Sequence, residues 1–229
     1  MAFALILDVA RGVSAGDRFV RRGDWSQQRF GIHHRVYGKR LGILGMGRIG
    51  HAVARRGTAF DMQVSYHKRK PVEGSPYLNT ESVHGLAQWA DFLIVTVAGG
   101  EQTRHLIDAN VLDALGPTAF LINVARGSVV DERALVHALQ DGRIAGAGLD
   151  VYEDDHAHSR VLKRWTTLYW LLTSAAARTR RGMQWRIGSS KTSVLGHRSS
   201  DRGSPMVSCT LVRQVALREL GAARYFARW

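Results

Sequence analysis

Between residues 41 and 151 the apolar positions come in two alternating rhythms. Short, nearly continuous apolar runs lie at 41–44, 63–66, 92–97, 119–124 and 147–151. Between them, at 49–60, 80–90, 108–115 and 131–140, apolar residues recur at helical spacing. A strand with one wet face alternates apolar and polar residues, so continuous runs predict parallel strands covered on both faces. Alternation of such strands with helices predicts a doubly wound α/β sheet that takes its ligand at the carboxyl ends of the strands. Ahead of this region residues 2–22 read as one helix, with Phe3, Ile6, Ala10 and Val13 on a 3.6-residue period. Gly23-Asp24 stops it, and Trp25 is placed to pack back on it.

The first strand runs into Gly45-Met46-Gly47-Arg48-Ile49-Gly50, and a helical pattern opens directly behind it. Such a G-x-G-x-x-G between strand and helix has a physical logic. The first glycine permits the tight turn, the second lets a pyrophosphate approach bare backbone, and the third lets the helix pack closely on the strand. The helix N-terminus adds unpaired N–H groups and partial positive charge. The sequence therefore predicts a Rossmann-type dinucleotide site at Gly45, Gly47, Arg48, Ile49 and Gly50. An NAD site places Asp or Glu about 20 residues further on, to accept from the ribose 2′-hydroxyl. Here the second strand ends in Tyr66-His67-Lys68-Arg69-Lys70. A carboxylate would repel a 2′-phosphate, whereas His67, Lys68 and Arg69 attract one, and Arg69 offers a fork to it. The expectation is NADP, with NAD possible; the alternative is a solvated basic loop.

Charge and composition change this picture at one place. The chain has 229 residues and a formal net charge of +13. Residues 1–155 hold 18 Lys+Arg against 17 Asp+Glu, while residues 156–229 hold 14 against 2, so nearly all the excess is in the last third. A selected basic arm for nucleic acid is one reading of that tail, but its tryptophans show no stacking periodicity and no nucleic-acid motif is present. The lone Cys209 excludes an internal disulfide framework and fits a reducing, cytoplasmic setting. No apolar run approaches the ~18 residues of a membrane span, so no membrane role is expected. His33 and His34 lack acidic or Cys partners at ligand spacing and read as a solvated loop, so no metal is expected.

The run Leu121-Ile122-Asn123-Val124-Ala125-Arg126-Gly127-Ser128-Val129-Val130-Asp131-Glu132 resembles the signature of the D-isomer-specific 2-hydroxyacid dehydrogenases. Matches in the same order include Gly16-Asp17-Arg18-Phe19-Val20-Arg21, Thr96-Val97-Ala98-Gly99-Gly100, Thr103-Arg104-His105-Leu106 and Gly148-Leu149-Asp150-Val151. The branch it is most similar to is the glyoxylate/hydroxypyruvate reductases. The resemblance implies reduction of a small 2-oxo acid by NAD(P)H in a homodimer joined through the nucleotide domain, with residues 2–22 near the contact. It assigns Arg126 to the substrate carboxylate and carbonyl, where a permanently charged planar guanidinium pairs in plane. It adds Val97, Ala98, Gly99, Thr103, Val124, Ala125 and Arg126 to the cofactor-binding set. Asp150 resembles the family residue near the nicotinamide carboxamide; a turn cap is the alternative.

The sequence also departs from that family. The chain begins within the family's interdomain helix, so the resemblance implies a missing portion of the substrate domain. Asp155 falls where the acidic partner of the catalytic histidine is expected, but it is followed by His156 rather than Pro. No Pro-His-Ile-Gly-Ser segment occurs in residues 156–229, so no proton donor can be assigned. Overlapping the last base of each codon with the first two of the next allows residues 164–176 to encode Leu-Asp-Asn-Val-Val-Leu-Ala-Pro-His-Ile-Gly-Ser. A frameshift near codon 155 is therefore expected, and it would explain the basic tail without function. The expected organisation is an interdomain or dimer helix and loop at 1–37, a Rossmann domain at 38–155 and a poorly structured tail at 156–229. The expected function is dinucleotide binding with impaired turnover; the alternative is a non-catalytic NAD(P)(H)-sensing module.

Overall fold

The computed structural model describes residues 1–31, 33–153 and 168–170. Seven strands form one parallel sheet in the order β3-β2-β1-β4-β5-β6-β7. They are β1 (Arg40–Leu44), β2 (Gln63–His67), β3 (Leu78–Asn79), β4 (Phe92–Val95), β5 (Phe120–Asn123), β6 (Gly146–Leu149) and β7 (Leu168–Trp170). The helices are α1 (Ala2–Arg11), α2 (Val13–Arg21), α3 (Arg48–Ala59), α4 (Val83–Trp89), α5 (Ala109–Leu115) and α6 (Glu132–Gln140). The five strands and four helices expected between 41 and 151 are all present, with ends shifted by up to three residues. Strand order reverses between β1 and β4, which opens a crevice at their carboxyl ends.

The continuous apolar runs divide by parity, because successive strand side chains point to opposite faces. Ile43, Phe92, Ile94, Phe120 and Ile122 pack with Leu5, Ile6, Val9 and Ala10 of α1 and with Val53 and Ala54 of α3. Leu44, Leu93, Val95 and Leu121 pack on the other face with Leu86 of α4, Leu112 of α5 and Leu135 of α6. Both faces are thus dry, as the lack of alternation required.

Three expectations need correcting or extending. Residues 2–22 form two helices, not one, broken at Gly12 with φ +63°. A side chain there would be strained and would also collide with the His33 ring. Asp8, only 7% exposed, holds the corner: it accepts from the Ser14 backbone N–H at 2.7 Å and from its hydroxyl at 2.5 Å. The break turns Val13 out to solvent. Trp25, expected to pack back on the helix, is 65% exposed. The sequence reading had no β3, whose Leu78 is exposed, and no strand in the tail, where β7 pairs with β6.

At the amino ends of β1 and β4 an ion pair staples neighbouring strands. Asp91 accepts from the Arg40 backbone N–H at 2.9 Å and from its guanidinium at 3.0 Å. Burial pushes the Asp91 carboxyl up, but the hydrogen bonds and charge from Arg40 outweigh it and leave it below the usual carboxylate range. A depressed folded value means that this stabilisation is complete above the unfolded value near ~4 and fades as pH falls through the folded one. Asp91→Asn is expected to cost about 1–2 kcal/mol at pH 7. That difference should shrink below about pH 4. Urea midpoints of both proteins at pH 7 and pH 3 check this, and an equal gap at the two pH values would contradict it.

Candidate functional site

β1 ends in a turn built from glycine. Gly45 has φ +102°, and its N–H donates to the His67 carbonyl at 3.0 Å. A Cβ at Gly45 would lie 2.9 Å from both the Val97 backbone N and its Cγ1, so β1 and the exit of β4 touch here. Thr96 locks the contact, donating its hydroxyl to the Gly45 carbonyl at 2.5 Å. Gly47 is the extended N-cap of α3, and a Cβ on it would meet nothing within 4 Å. A Cβ on Gly50 would collide with the Gly45 carbonyl oxygen. The three glycines therefore make a turn, an open approach in front of a helix N-terminus, and a close helix–strand packing. This cradle fits a pyrophosphate: bare backbone faces open space, and the following helix is 12 residues long.

The carboxyl rim divides into two recesses. One, of about 800 Å³, is lined by Gly45, Met46, Gly47, His67, Lys68, Arg69, Lys70, Val97, Ala98, Gln102 and Thr103 among others. The other is lined by Phe3 at the start of α1 together with Arg48, Ile49, Val124 and Asp150. Most of the sequence-derived cofactor residues thus line one recess or the other, with Gly50 beneath the turn, whereas Gly99, Ala125 and Arg126 line neither. In the first recess His67 Nδ1 lies 2.8 Å from the Thr80 carbonyl, an arrangement that puts the ring proton on Nδ1 and leaves Nε2 as the second polar atom. The Lys68 backbone donates to the Asn79 side chain at 3.3 Å. Arg69 reaches across to Gln102, 2.6 Å from Nη1 to Oε1. In the second recess Asp150 Oδ1 is buried without a hydrogen-bond partner.

Arg126 lies on the same rim as the glycines, since β1, β4 and β5 are parallel neighbours. It follows β5 and leans on the exit of β4, where a Cβ on Gly99 would lie 2.6 Å from its Cγ. Arg126 is exposed as a residue, and its guanidinium donates to the Ala125 carbonyl at 2.7 Å; Ala125 itself is buried. Asn123, 1% exposed, shapes this loop, donating to the Arg126 carbonyl at 3.0 Å and accepting from the Ala125 N–H at 3.0 Å. Beyond β6, Glu153 accepts from Arg104 at 2.6 Å and from His105 at 2.9 Å, and its own N–H donates to Glu132. Burial, then the nearby Glu132 and Asp150 carboxylates, push the Tyr152 phenol up, so it stays protonated.

Asp155, the other sequence-derived catalytic residue, lies outside the described residues, as do His156, His158 and His197. The sequence reading did not single out Gln102, Asn123 or Thr96. A buried Asn closing an apolar strand was the available signal for Asn123; nothing local marks Gln102. His33 is half-buried against Phe30 rather than solvated, while His34 is exposed and packs edge-on to Phe120. Among the described residues no group of three His, Cys, Asp or Glu could hold a metal ion, and no helix is long and apolar enough to cross a membrane.

Residues 3–171 match the family model for the D-isomer specific 2-hydroxyacid dehydrogenase, NAD binding domain. The chain is 44% identical over 171 residues to a glyoxylate reductase of Pyrococcus horikoshii, covering 71% of this chain and 51% of that protein. It is 44% identical over 155 residues to a 2-ketogluconate reductase of Gluconobacter oxydans, covering 68% of this chain and 50% of that protein. Among solved structures it is similar to the NADPH-dependent glyoxylate/hydroxypyruvate reductase of Sinorhizobium meliloti in complex with NADP and malonate. There the TM-score is 0.73 at 40% identity, covering 78% of this chain and 56% of that one. The chain spans about half the length of the relatives it matches. A dinucleotide-binding sheet with this glycine turn, and a family match over most of its length, lead to one assignment: the chain belongs to the D-isomer-specific 2-hydroxyacid dehydrogenase family and carries its NAD-binding domain.

Proposed function

We propose that this chain is the nucleotide-binding part of an NADP-preferring 2-hydroxyacid dehydrogenase acting on a small 2-oxo acid of the glyoxylate or hydroxypyruvate kind. The observation that carries the reading is the end of β2 and the loop behind it. His67, Lys68, Arg69 and Lys70 line the recess that also holds the glycine turn. Cations there attract a ribose 2′-phosphate, and no carboxylate in that run opposes one. The solved NADP complex of the Sinorhizobium meliloti relative supports the same preference.

When bound, the nicotinamide supplies a hydride to the substrate carbonyl. The chain's own contribution is binding and orientation. The glycine turn and the N-terminus of α3, with Arg48 and Ile49 in its first turn, would hold the pyrophosphate; Val97, Ala98 and Thr103 in one recess and Val124 and Asp150 in the other would bind the rest of the dinucleotide. Arg126 turns from the Ala125 carbonyl to the substrate carboxylate and carbonyl, as its exposed position permits. Proton donation is the weak step. Asp155 stands where the family's acid partner belongs, yet residues 156–229 contain no Pro-His-Ile-Gly-Ser segment to match the family's catalytic histidine. Lack of an acid–base group costs about 10²–10⁴-fold in rate. Tight cofactor binding with poor turnover is therefore the expected behaviour, in a cytoplasmic homodimer joined through this domain.

The test is titration of the full chain with NADPH and NADH, followed by a steady-state assay with hydroxypyruvate. NADPH should bind at least about tenfold more tightly, and Arg69→Ala should remove most of that margin, since a charge-assisted contact is worth roughly 1.5–3 kcal/mol. Equal affinities would overturn the NADP preference. Ordinary turnover would overturn the impairment, whereas binding with none at all would favour the cofactor-sensing alternative.

A further inference from the structure

Arg69 is exposed, and a long exposed side chain that must find a phosphate gives up much rotamer freedom when it does. The structure removes part of that cost in advance. Gln102 stands on the opposite wall of the recess, in the 3₁₀ turn Glu101–Thr103 that follows β4, 33 residues from Arg69 in sequence. Its Oε1 accepts from Arg69 Nη1 at 2.6 Å, so the two side chains span the recess that holds Gly45 and Gly47.

Three features suit this contact to a positioning role. The turn is itself anchored, because the Thr103 hydroxyl donates to the Ala98 carbonyl at 2.9 Å and the Gly100 carbonyl at 3.0 Å. The amide takes one donor of the guanidinium and leaves Nε and Nη2 for a bidentate anion. The amide is also neutral, and among the described residues no carboxylate is paired with Arg69, so its charge stays available. A carboxylate in the same place would hold the guanidinium equally well but cancel the field that a phosphoryl group needs.

We propose that Gln102 is a positioning residue whose amide oxygen holds Arg69 across the mouth of the recess, ready for the phosphoryl group on the adenosine ribose. It thereby sets part of the discrimination between NADPH and NADH. This rests on the NADP reading above.

The experiment is a double-mutant cycle on the full chain: wild type, Gln102→Leu, Arg69→Ala and the double variant, each titrated with NADPH and NADH. Leu keeps the bulk of Gln and cannot accept. Gln102→Leu is expected to weaken NADPH about three- to tenfold, the cost of ordering one rotamer-rich side chain on binding, with NADH unchanged. Arg69→Ala should lose more, and adding Gln102→Leu to it should change nothing further, because the partner is gone. Gln102→Asn, too short to reach, should behave like Leu. Gln102→Leu leaving NADPH untouched while Arg69→Ala collapses the preference would overturn the inference and spare the NADP reading. Equal weakening of both nucleotides would reduce Gln102 to a support of its turn and also overturn it. A wild type that binds both nucleotides equally would bring down the NADP reading and this inference together.

Discussion

Gly50→Ala should abolish useful cofactor binding, weakening NADPH and NADH alike by about a hundredfold. The added methyl would collide with the Gly45 carbonyl oxygen, and the Thr96 hydroxyl lies only 3.3 Å from the same point. Neither can give way easily, since that carbonyl already accepts from Thr96 at 2.5 Å and the Gly45 N–H is tied to His67. The start of α3 must therefore move off β1, taking with it the N–H groups that would face the phosphates. Overpacking of this kind costs about 3 kcal/mol, and each 1.4 kcal/mol drawn from binding is a factor of ten. Gly47→Ala is the informative contrast. Its methyl meets nothing within 4 Å and its φ of −92° suits any residue, so thermal stability should hold. Affinity should still fall, because the methyl occupies the approach to the phosphates. Fluorescence titration with both nucleotides, beside a melting curve, separates the cases. A Gly50→Ala protein binding within threefold of wild type would show that the helix does not pack as described.

Gly127→Ala should be the most damaging single methyl for stability. A Cβ there would run into the peptide joining Tyr152 to Glu153, backbone against backbone. The two segments are held in place independently. Asn123 grips the Arg126 carbonyl at 3.0 Å, and the Val130 N–H donates to the Gly127 carbonyl at 3.0 Å. On the other side Glu153 is fixed by Glu132, Arg104 and His105. Separating them costs about 3 kcal/mol, or roughly 6–12 °C in melting temperature for a chain of this size. Differential scanning calorimetry reads it directly, and a shift of under about 1 °C would mean that the crossing is loose. Because Arg126 adjoins Gly127, the same variant should also disturb the loop that carries the guanidinium.

How far the residues alone reach differs from element to element. Apolar runs with no alternation, broken by stretches of helical period, were enough for a two-faced parallel sheet. Gly45, Gly47 and Gly50 marked the turn between β1 and α3, and Lys68 and Arg69 marked the end of β2. All of these are encoded within a few neighbouring residues, through strand and helix periods and the backbone freedom of glycine. The break at Gly12 was not legible: the Asp8–Ser14 contact that holds it leaves no mark on the helical period, and the His33 ring packed against it arrives 21 residues later in the chain. β3 is two residues long with an exposed Leu78, too short to show any period. β7 rests on pairing with β6, which its own three residues do not announce.

The site divides the same way. The family resemblance named Arg126 and Asp150 as candidates, but strand order and direction brought Arg126 to the rim that carries Gly45. Which recess each residue lines, the reach of Arg69 to Gln102, and the crossing of Gly127 over Tyr152–Glu153 depend on how distant segments meet in the folded sheet. Local chemistry writes turns and periods into the chain, whereas contacts between segments tens of residues apart exist only once the sheet order and register are set.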